Sequence, residues 1–427
     1  MKIGAARVEI TPSLGEPMDG FEVRTGGATG IHDPLWARVL VAEGPNGEQA
    51  VLLVADLLQV DPGLQTVVAD GVQRATGIGR DRLQLIGTHT HSGPWVRPGS
   101  QVERSIGARM TEAVERAWSQ RREAVAAVGV GTVNGIGANR RPRGGPVDDR
   151  VTVARFDDTR GEPIATLVNY GCHPTTLGPD NTLYSADYPG VLCRELEAAF
   201  GGLVLFTTGP QGDVNPGGYS PEESMVGIVA PWRTYESADR YGRLLADSAV
   251  AVHATLRPAP SDRVWAAAEV LALARKPLPD PGATRRAAEA AAVASSRAIR
   301  SVGLSADATY HAAVAAAYAD LIALQAADPA RDGPVKVRIS ALGLGPLTHV
   351  GVQGELFVEL GQRIRAELGD DRTAIAALSD GTVGYIPTAA AFDEGGYEPN
   401  ASVLRPGEGE RLADAVVALV RAVEPAG

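Results

Sequence analysis

The sequence predicts an α/β protein in which mixed β-sheets are flanked by helices. β-rich and helix-like segments alternate through the first half of the chain, a pattern typical of sheets covered by helices. An alanine-rich pair of helices then interrupts the pattern, and strand-like segments return after it. The 427 residues, 44% of them hydrophobic, have the composition of an ordinary globular protein. This length exceeds the usual range of one domain, so we expect two domains or one large domain with an insertion.

The first half contains a hairpin followed by alternating helices and strands. Two β-rich runs, at residues 36–42 and 50–58, are joined by Gly44-Pro45-Asn46-Gly47, a sequence typical of hairpin turns. Apolar residues at helical spacing predict helices, whereas short β-rich runs predict strands. Helices are expected at residues 64–75, 102–120 and 188–200. Further strands are expected at residues 83–88, 151–156, 164–169 and 203–208.

The second half contains the interruption, at about residues 277–332. Its two alanine-rich stretches, at 284–299 and 306–327, predict a helical hairpin. We interpret the hairpin as an excursion from the surface of the sheet; a lid or a dimer arm is the functional alternative. After it we expect strands at 335–342, 348–352 and 374–377 and helices at 356–368 and 412–423. Because the returning segments carry further candidate site residues, we predict one domain over residues 1–427.

Charge and cysteine content argue against some classes of function. The formal net charge of −11 disfavours nucleic acid and anionic membranes as partners, since both attract basic surfaces. No apolar run is long enough for a membrane span, so we expect no stable membrane association. The two cysteines, Cys172 and Cys193, form no disulfide framework, and no secretory signal is visible. We therefore expect a cytoplasmic location, and we leave the formation of a homo-oligomer open.

Two of the seven histidines lie one residue apart at the end of a predicted strand. His89 and His91 belong to Gly-Thr-His-Thr-His-Ser-Gly-Pro at positions 87–94. Side chains two residues apart on an extended backbone project to the same side, and neutral imidazole is the commonest protein ligand of transition metals. The pair therefore predicts a metal site, with two unpartnered surface histidines as the alternative.

A third histidine and a glutamate extend the candidate site. His173 follows a β-rich run and precedes Pro174, which ends the strand; a core histidine is the alternative. Alternation points the neighbouring Cys172 away from His173 and into core packing. Glu355 lies where a strand passes into a helix, and a helix N-terminus keeps a carboxylate ionised. From this segment alone, a ligand role and a structural role for Glu355 are equally supported.

Several enzyme classes lack their motifs in this chain. Ser92, Gly93 and Pro94 stand where a metallo-β-lactamase would continue its histidine motif, and no zincin-type His-Glu-x-x-His occurs. The Gly-x-Ser-x-Gly elbow, a Walker loop and the Gly-x-Gly-x-x-Gly fingerprint are also absent. A serine hydrolase or a nucleotide-dependent enzyme is therefore poorly supported.

Together these segments resemble the catalytic domain of the neutral, non-lysosomal ceramidases, a family of zinc amidohydrolases. The resemblance covers most of the chain and depends on an ordered set of short motifs, each weak by itself. The motifs are Glu9-Ile10-Thr11-Pro12, Met18-Asp19-Gly20-Phe21, Gly30-Ile31-His32, the segment 87–94, Asn139-Arg140-Arg141, His173-Pro174, Ser185-Ala186-Asp187, Gly212-Asp213-Val214-Asn215-Pro216, Gly354-Glu355 and Gly384-Tyr385-Ile386-Pro387-Thr388.

The resemblance implies a zinc ion and an active site around it. The implied zinc ligands are His89, His173, Glu355 and Tyr385. The other implied active-site residues are His91, Tyr397 and Arg140.

Each implied residue suits a step of amide hydrolysis. His91 has the pKa range to carry a proton to the leaving amine, and Tyr397 or His91 suits the donor that a tetrahedral oxyanion needs. Arg140 cannot act as an acid near neutrality, so we expect it to position substrate oxygens. Asp56 and Asp213 either orient ligand imidazoles or cap loops.

The chain departs from the family pattern at three points. Asn215 stands where ceramidases carry a serine discussed as a nucleophile, which favours attack by zinc-bound hydroxide over a covalent mechanism. Neither a C-terminal β-sandwich domain nor a leader is seen, so we expect a substrate other than ceramide.

The resulting expectation is zinc-dependent cleavage of the amide bond of a small, soluble N-acyl compound. An esterase or lactonase that uses the same site is one alternative, since attack on either carbonyl meets the same demands. A non-catalytic metal-binding protein is the other.

Overall fold

The fold contains two large β-sheets with helices packed on their outer faces. The computed structural model describes residues 1–141, 144–300, 306–330, 332–369 and 371–423, without the side chains of residues 296–300, 306 and 307. The strands are β1 (Lys2–Glu9), β2 (Gly30–Ile31), β3 (Trp36–Glu43), β4 (Gln49–Ala55), β5 (Leu83–Gly87), β6 (Arg122–Thr132), β7 (Gly137–Asn139), β8 (Arg150–Asp158), β9 (Pro163–Tyr170), β10 (Leu183–Tyr184), β11 (Leu203–Thr208), β12 (Val214–Pro216), β13 (Val264–Leu273), β14 (Val335–Leu344), β15 (Leu347–Val352), β16 (Glu355–Leu356), β17 (Thr373–Ala376) and β18 (Tyr385–Ile386). The helices are α1 (Pro62–Thr76), α2 (Gln101–Ser119), α3 (Asp187–Phe200), α4 (Pro221–Met225), α5 (Tyr235–Thr255), α6 (Pro281–Arg300), α7 (Ala306–Ala327), α8 (Val358–Leu368), α9 (Ala389–Glu394), α10 (Tyr397–Ala401) and α11 (Glu408–Val423).

The larger sheet has the strand order β11-β9-β8-β6-β1-β3-β4-β5, and the smaller one has the order β13-β14-β15-β17. Both sheets are mixed, because antiparallel hairpins such as β3–β4 alternate with parallel pairs such as β4–β5 and β9–β11. The predicted hairpin turn is present, with the Gly44 amide donating to the Glu48 carbonyl at 2.7 Å. The predicted α/β class with flanking helices is confirmed.

Strand alternation divides the apolar side chains between an inner and an outer core. In β4, Leu52 and Val54 join a central core shared by the inner faces of both sheets, whereas Val51 and Leu53 pack against α1 and α2. The helices α3 and α5 cover the β8–β9–β11 part of the larger sheet, and α8 and α11 cover the smaller sheet. Both faces of the strands are therefore buried, which explains their nearly continuous apolar runs.

The two edges of the larger sheet meet around one end of the smaller sheet. The strands β1 and β6 share two residue pairs, so the sheet bends there. As a result the Thr208 hydroxyl, at the end of β11, donates to the Thr88 carbonyl just after β5 at 2.6 Å. Residues after β17 bond to both edges, because the Ala377 amide donates to Thr208 and the Asp380 amide donates to Leu85. This junction brings the carboxyl ends of β5, β9 and β11 together.

The predicted alanine-rich hairpin is formed by α6 and α7, which pack against each other. The connection between them, residues 301–305, lies outside the described residues. After the hairpin, β14 returns to the central core with Leu342 and Leu344. One domain with an insertion at about 277–332 stays our prediction. None of the described helices is long and apolar enough to cross a membrane.

Some elements differ from the sequence-based expectation. The strand predicted to run to residue 58 ends at Ala55, and α8 begins at Val358, not at residue 356. Among the described elements of eight residues or more, four were not predicted, namely β1, β6, β13 and the helix α5. In α5 the signal was present, because its buried residues recur at helical spacing. The strand β6 is rich in alanine and glycine, which carry little strand propensity.

Candidate metal centre

His89 lies two residues beyond the end of β5, in a turn and not on extended backbone. Its φ of 71° is left-handed, a conformation that costs a non-glycine residue about 1 kcal/mol. The residue is 4% exposed, and its Nδ1 lies 2.9 Å from the Leu58 carbonyl oxygen. Because a carbonyl only accepts, Nδ1 carries the ring proton and Nε2 keeps its lone pair. The prediction that strand alternation aims this histidine was therefore wrong; a left-handed turn aims it.

His173 is oriented in the same way from another strand. It follows the end of β9, and both its amide nitrogen and its Nδ1 bond to the Val214 carbonyl, at 3.0 and 2.9 Å. Its Nε2 therefore also faces away from the backbone with a free lone pair. Burial, together with the nearby charge of Arg140, lowers the pKa of His173 to about 4. At neutral pH the ring is the neutral form that binds metals.

Glu355 completes a three-residue group with the two histidines. Its Oε2 lies 2.9 Å from the His173 Nε2 and 3.6 Å from the His89 Nε2. It stands in β16, which pairs with β18 so that Glu355 is opposite Tyr385. The predicted helix N-terminus is therefore not what positions it. Burial opposes ionisation, but the two imidazoles beside the carboxyl hold the pKa of Glu355 well below its usual range.

These three side chains have the donor set of a metal site. Their ligand atoms all lie within 4.8 Å of one another, and all three residues are buried. Two neutral nitrogens and one carboxylate oxygen match the protein ligands of many catalytic zinc sites, which leave a further position open. The backbone carbonyls on both Nδ1 atoms are the partners that fix metal-binding imidazoles. The residues present therefore fit a zinc ion.

Tyr385 and Arg140 lie beside this group. The Arg140 Nη2 donates to the Tyr385 hydroxyl at 3.1 Å and to the Gly212 carbonyl at 3.0 Å. Burial and the charge of Glu355 raise the pKa of Tyr385 well above its usual range, while Arg140 opposes this shift. The ring of Tyr397 stands 5.5 Å from that of Tyr385. Arg140 thus contacts a predicted zinc ligand, whereas the sequence predicted that it contacts substrate.

His91 borders the centre without a hydrogen-bond partner. Its ring lies 4.9 Å from the ring of His89 and 4.8 Å from that of Phe21. Both ring nitrogens are buried, and neither finds a partner among the described residues. Burial and the neighbouring imidazoles lower the pKa of His91 well below its usual range. Buried polar atoms are rarely left unpaired, so this ring is poised for a group that enters the site.

The two aspartates considered as partners of the imidazoles do not contact them. Asp56 accepts from the Trp36 amide at 2.9 Å, and Asp213 accepts from Asn139 and from the Val358 amide. The loop-capping alternative therefore holds for both. Backbone carbonyls take the orienting role, and no side-chain pattern signals them. Cys172 is buried in the core behind the site, as predicted.

A charged network beside the site was missed by sequence reasoning. Glu398 binds the Arg140 Nε at 2.8 Å and the Arg141 Nη1 at 2.6 Å. All three side chains are at most 3% exposed. The adjacent arginines and the glutamate after Tyr397 were visible in the sequence, but their pairing joins positions 257 apart in the chain and no local pattern predicts it.

The fold and this centre define an α/β protein whose strand ends assemble a buried His-His-Glu group suited to a metal ion. Comparison with known proteins shows which family this chain resembles. Residues 1–211 match the family described as neutral/alkaline non-lysosomal ceramidase, N-terminal. The neutral ceramidase 2 of Arabidopsis thaliana is 24% identical over 226 residues, which is 46% of this chain and 30% of that protein. The neutral ceramidase A of Dictyostelium discoideum is 26% identical over 259 residues, 52% of this chain and 36% of that protein.

Solved structures share the fold over almost the whole chain. The crystal structure of neutral ceramidase from Pseudomonas aeruginosa matches 99% of this chain and 74% of that chain, with a TM-score of 0.77 and 17% identity. A ceramidase complexed with C2 gives a TM-score of 0.74 and 16% identity, over 99% of this chain and 75% of that chain. The family match over residues 1–211 and the curated relatives confirm the resemblance of this chain to the neutral/alkaline non-lysosomal ceramidases, and the solved structures show the same fold. The aligned segments of this chain span about a third of the curated relatives' length.

Proposed function

We propose that the protein is a zinc-dependent hydrolase that cleaves the amide bond of a small, soluble N-acyl compound. The observation that carries this proposal is the convergence of His89, His173 and Glu355, with both Nε2 atoms aimed at the carboxylate. The relatives are named ceramidases, and ceramide is an N-acyl compound. The net charge of −11 favours a soluble substrate over one held in an anionic membrane. The cytoplasmic location stays a prediction, to be tested by cell fractionation.

His89, His173 and Glu355 would hold the zinc ion, with Tyr385 as a fourth ligand. When bound, zinc polarises a substrate carbonyl and lowers the pKa of an attacking water to about 7. The Arg140 guanidinium, 3.1 Å from the Tyr385 hydroxyl, favours the phenolate form that binds a cation. Burial of the centre excludes bulk water and strengthens each of these charge interactions.

His91 and Tyr397 supply the remaining chemistry. A neutral His91 accepts a proton at a ring nitrogen when water attacks the carbonyl, and it returns the proton to the leaving amine. Neither ring nitrogen has a partner among the described residues, so one is available for this transfer. Burial raises the pKa of Tyr397 above its usual range, which keeps its hydroxyl a donor. That donor suits the oxyanion of the tetrahedral intermediate.

Metal removal and reloading test the proposed function. The protein is stripped with a chelator and assayed on soluble N-acyl amines of increasing chain length, on a ceramide and on matched esters. We expect about one zinc per chain, loss of amidase activity on stripping and its return with zinc. Replacement of His89 or His173 by alanine should abolish zinc binding, whereas replacement of the remote His253, which stacks on Phe200, should leave it unchanged. Equal rates for stripped and reloaded protein would refute the proposal, and hydrolysis of esters alone would replace it by the esterase alternative.

A further inference from the structure

The short helix α10, which begins at Tyr397, is fixed at its N-terminal end by the charged network. Glu398, the second residue of the helix, is held by Arg140 and Arg141 at 2.8 and 2.6 Å. Arg140 also bonds to Tyr385, so one guanidinium connects the helix to the candidate metal centre. A helix of five residues is too short to be stable alone. The position of Tyr397 therefore depends on what holds both ends of α10.

Two side chains from the hairpin region satisfy the carbonyls at the other end. The Lys276 Nζ donates to the Pro399 and Asn400 carbonyls at 3.3 and 2.7 Å. The Gln325 Nε2 donates to the Asn400 and Ala401 carbonyls at 3.1 and 2.8 Å. The last carbonyls of a helix have no partner within it, and these three all receive donors from outside. A cation at a helix C-terminus adds a favourable charge interaction.

These donors stand at the two ends of the α6–α7 hairpin. Lys276 precedes α6 and is partly buried, and burial lowers its pKa to about 8. Gln325 lies in the last turn of α7 and is 9% exposed. The same helix reaches a second segment near the site, because the Tyr318 hydroxyl donates to Glu222 of α4 at 2.5 Å. The hairpin thus contacts α4 and α10 from one face.

We propose that Lys276 and Gln325 are positioning residues that hold Tyr397 at the candidate metal centre, which makes the hairpin a working part of the site. This inference depends on the proposed function only for its kinetic readout. Without the two donors, three carbonyls lose their partners and the end of α10 opens. Tyr397 then leaves its place 5.5 Å from Tyr385. Small displacements of a catalytic group reduce turnover steeply.

The first test measures the order of α10 and needs no activity. Hydrogen exchange of the backbone is followed at residues 395–403 in Lys276→Met, Gln325→Met and the double variant, which keep side-chain length but lose the donors. We expect exchange there to be faster by about tenfold or more in the double variant than in the parent protein. In Lys276→Arg, which keeps a donor at this position, we expect exchange close to that of the parent. Leu324→Ala is the matched control, since Leu324 neighbours Gln325 and is 64% exposed. Unchanged exchange in the double variant would overturn the inference, whatever the activity of the protein.

The second test combines the Lys276→Met/Gln325→Met double variant with Tyr397→Phe and compares their separate and joint effects on kcat. We expect the double variant to lower kcat by about tenfold at unchanged zinc content. In the Tyr397→Phe background the same substitutions should change kcat by less than about twofold, because their effect acts through that hydroxyl. Fully additive losses would overturn the positioning role. If the parent protein shows no zinc-dependent activity, the proposed function is refuted. The hydrogen-exchange result then decides this inference.

Discussion

At the scale of single residues, the candidate centre depends on groups that have no side-chain signature. His89 and His173 present Nε2 to Glu355 because the carbonyls of Leu58 and Val214 occupy their Nδ1 atoms. A left-handed backbone at His89 turns its ring into the site. The histidines were recognisable from the sequence, whereas the atoms that orient them belong to backbone positions that any residue supplies.

The two tyrosines at the site should separate in a mutational test. Tyr385→Phe should lower zinc occupancy, because it removes a proposed ligand and the acceptor of Arg140. Tyr397→Phe should leave zinc content unchanged and lower turnover by about 10²–10³, the usual cost of losing one oxyanion donor. Elemental analysis and steady-state kinetics on the same preparations measure both. Equal loss of zinc in the two variants would show that the roles have been assigned wrongly.

The conformation around His91 predicts a second residue-level outcome. Gly20 has a φ of 99°, and a Cβ there would lie 2.7 Å from the His91 ring. Gly20→Ala should therefore displace the ring and lower kcat while zinc stays bound. Gly15→Ala is the matched control, because Gly15 has a φ of 89° and, its chain neighbours aside, no atom of the described residues lies within 4 Å of a Cβ there. It shares the backbone strain and should keep its kcat; if both variants lose activity alike, strain and not contact with His91 is responsible.

At the scale of elements, the candidate site residues lie at or just beyond strand ends. His89 follows β5, His173 follows β9 and Glu355 begins the short strand β16. Ends of neighbouring strands meet at one edge of a sheet, so residues distant in the chain become neighbours there. The turns themselves need buried polar groups, and Asp56 is one of them, since it binds the Trp36 amide at the start of β3.

The buried carboxyl of Asp56 predicts a pH-dependent stability difference. Burial raises its pKa from 3.8 to about 6. The folded state therefore binds the proton more tightly than the unfolded state, and stability that is present below pH 4 is lost as the pH rises through 6. Asp56→Asn keeps an acceptor for Trp36 without this cost, so its stability relative to the parent should improve by about 2–3 kcal/mol between pH 4 and 7.

Denaturant unfolding at several pH values measures this difference. The control is Asp70→Asn, which makes the same substitution at an exposed carboxylate on α1. A flat difference for Asp56→Asn would show that this carboxyl is ionised at no cost in the fold.

At the scale of the whole molecule, the centre joins parts of the chain that otherwise belong to different layers. His89 follows the edge strand β5, His173 follows β9 beside the opposite edge strand β11, and Glu355 comes from a segment between the smaller sheet and α8. The bend between β1 and β6 brings those edges together around the end of β17. A ligand that binds all three residues should therefore stabilise the assembled fold as a whole.

Zinc should raise the unfolding temperature of the protein. A ligand that binds only the folded state at a thousandfold excess over Kd stabilises it by about 4 kcal/mol. We expect calorimetry to show this increase for the parent chain and for Tyr397→Phe, which keeps the proposed ligands. His173→Ala should show none, and an equal increase in that variant would place the zinc elsewhere.

The sequence by itself determined the fold class, most elements and the identity of the candidate site residues. Apolar periodicity and turn residues are local signals, and they predicted the β3–β4 hairpin, the strand before His89 and the helices α6 and α7. His89, His91 and His173 were identified as candidate ligands because they are histidines at predicted strand ends near glycine or proline. The position of Glu355 between a predicted strand and helix made it a candidate, and the resemblance implied its ligand role together with the roles of Tyr385 and Tyr397.

The tertiary structure alone decided how these residues meet. The bend of the larger sheet, the pairing of β16 with β18 and the binding of Glu398 by two arginines join positions far apart in the chain. Such contacts form only when distant segments are buried together, and their energy comes from packing and charge pairing that no local pattern encodes. For the same reason the sequence does not predict the hydrogen bonds from Lys276 and Gln325 to α10. Their carbonyl acceptors become neighbours only in the folded chain.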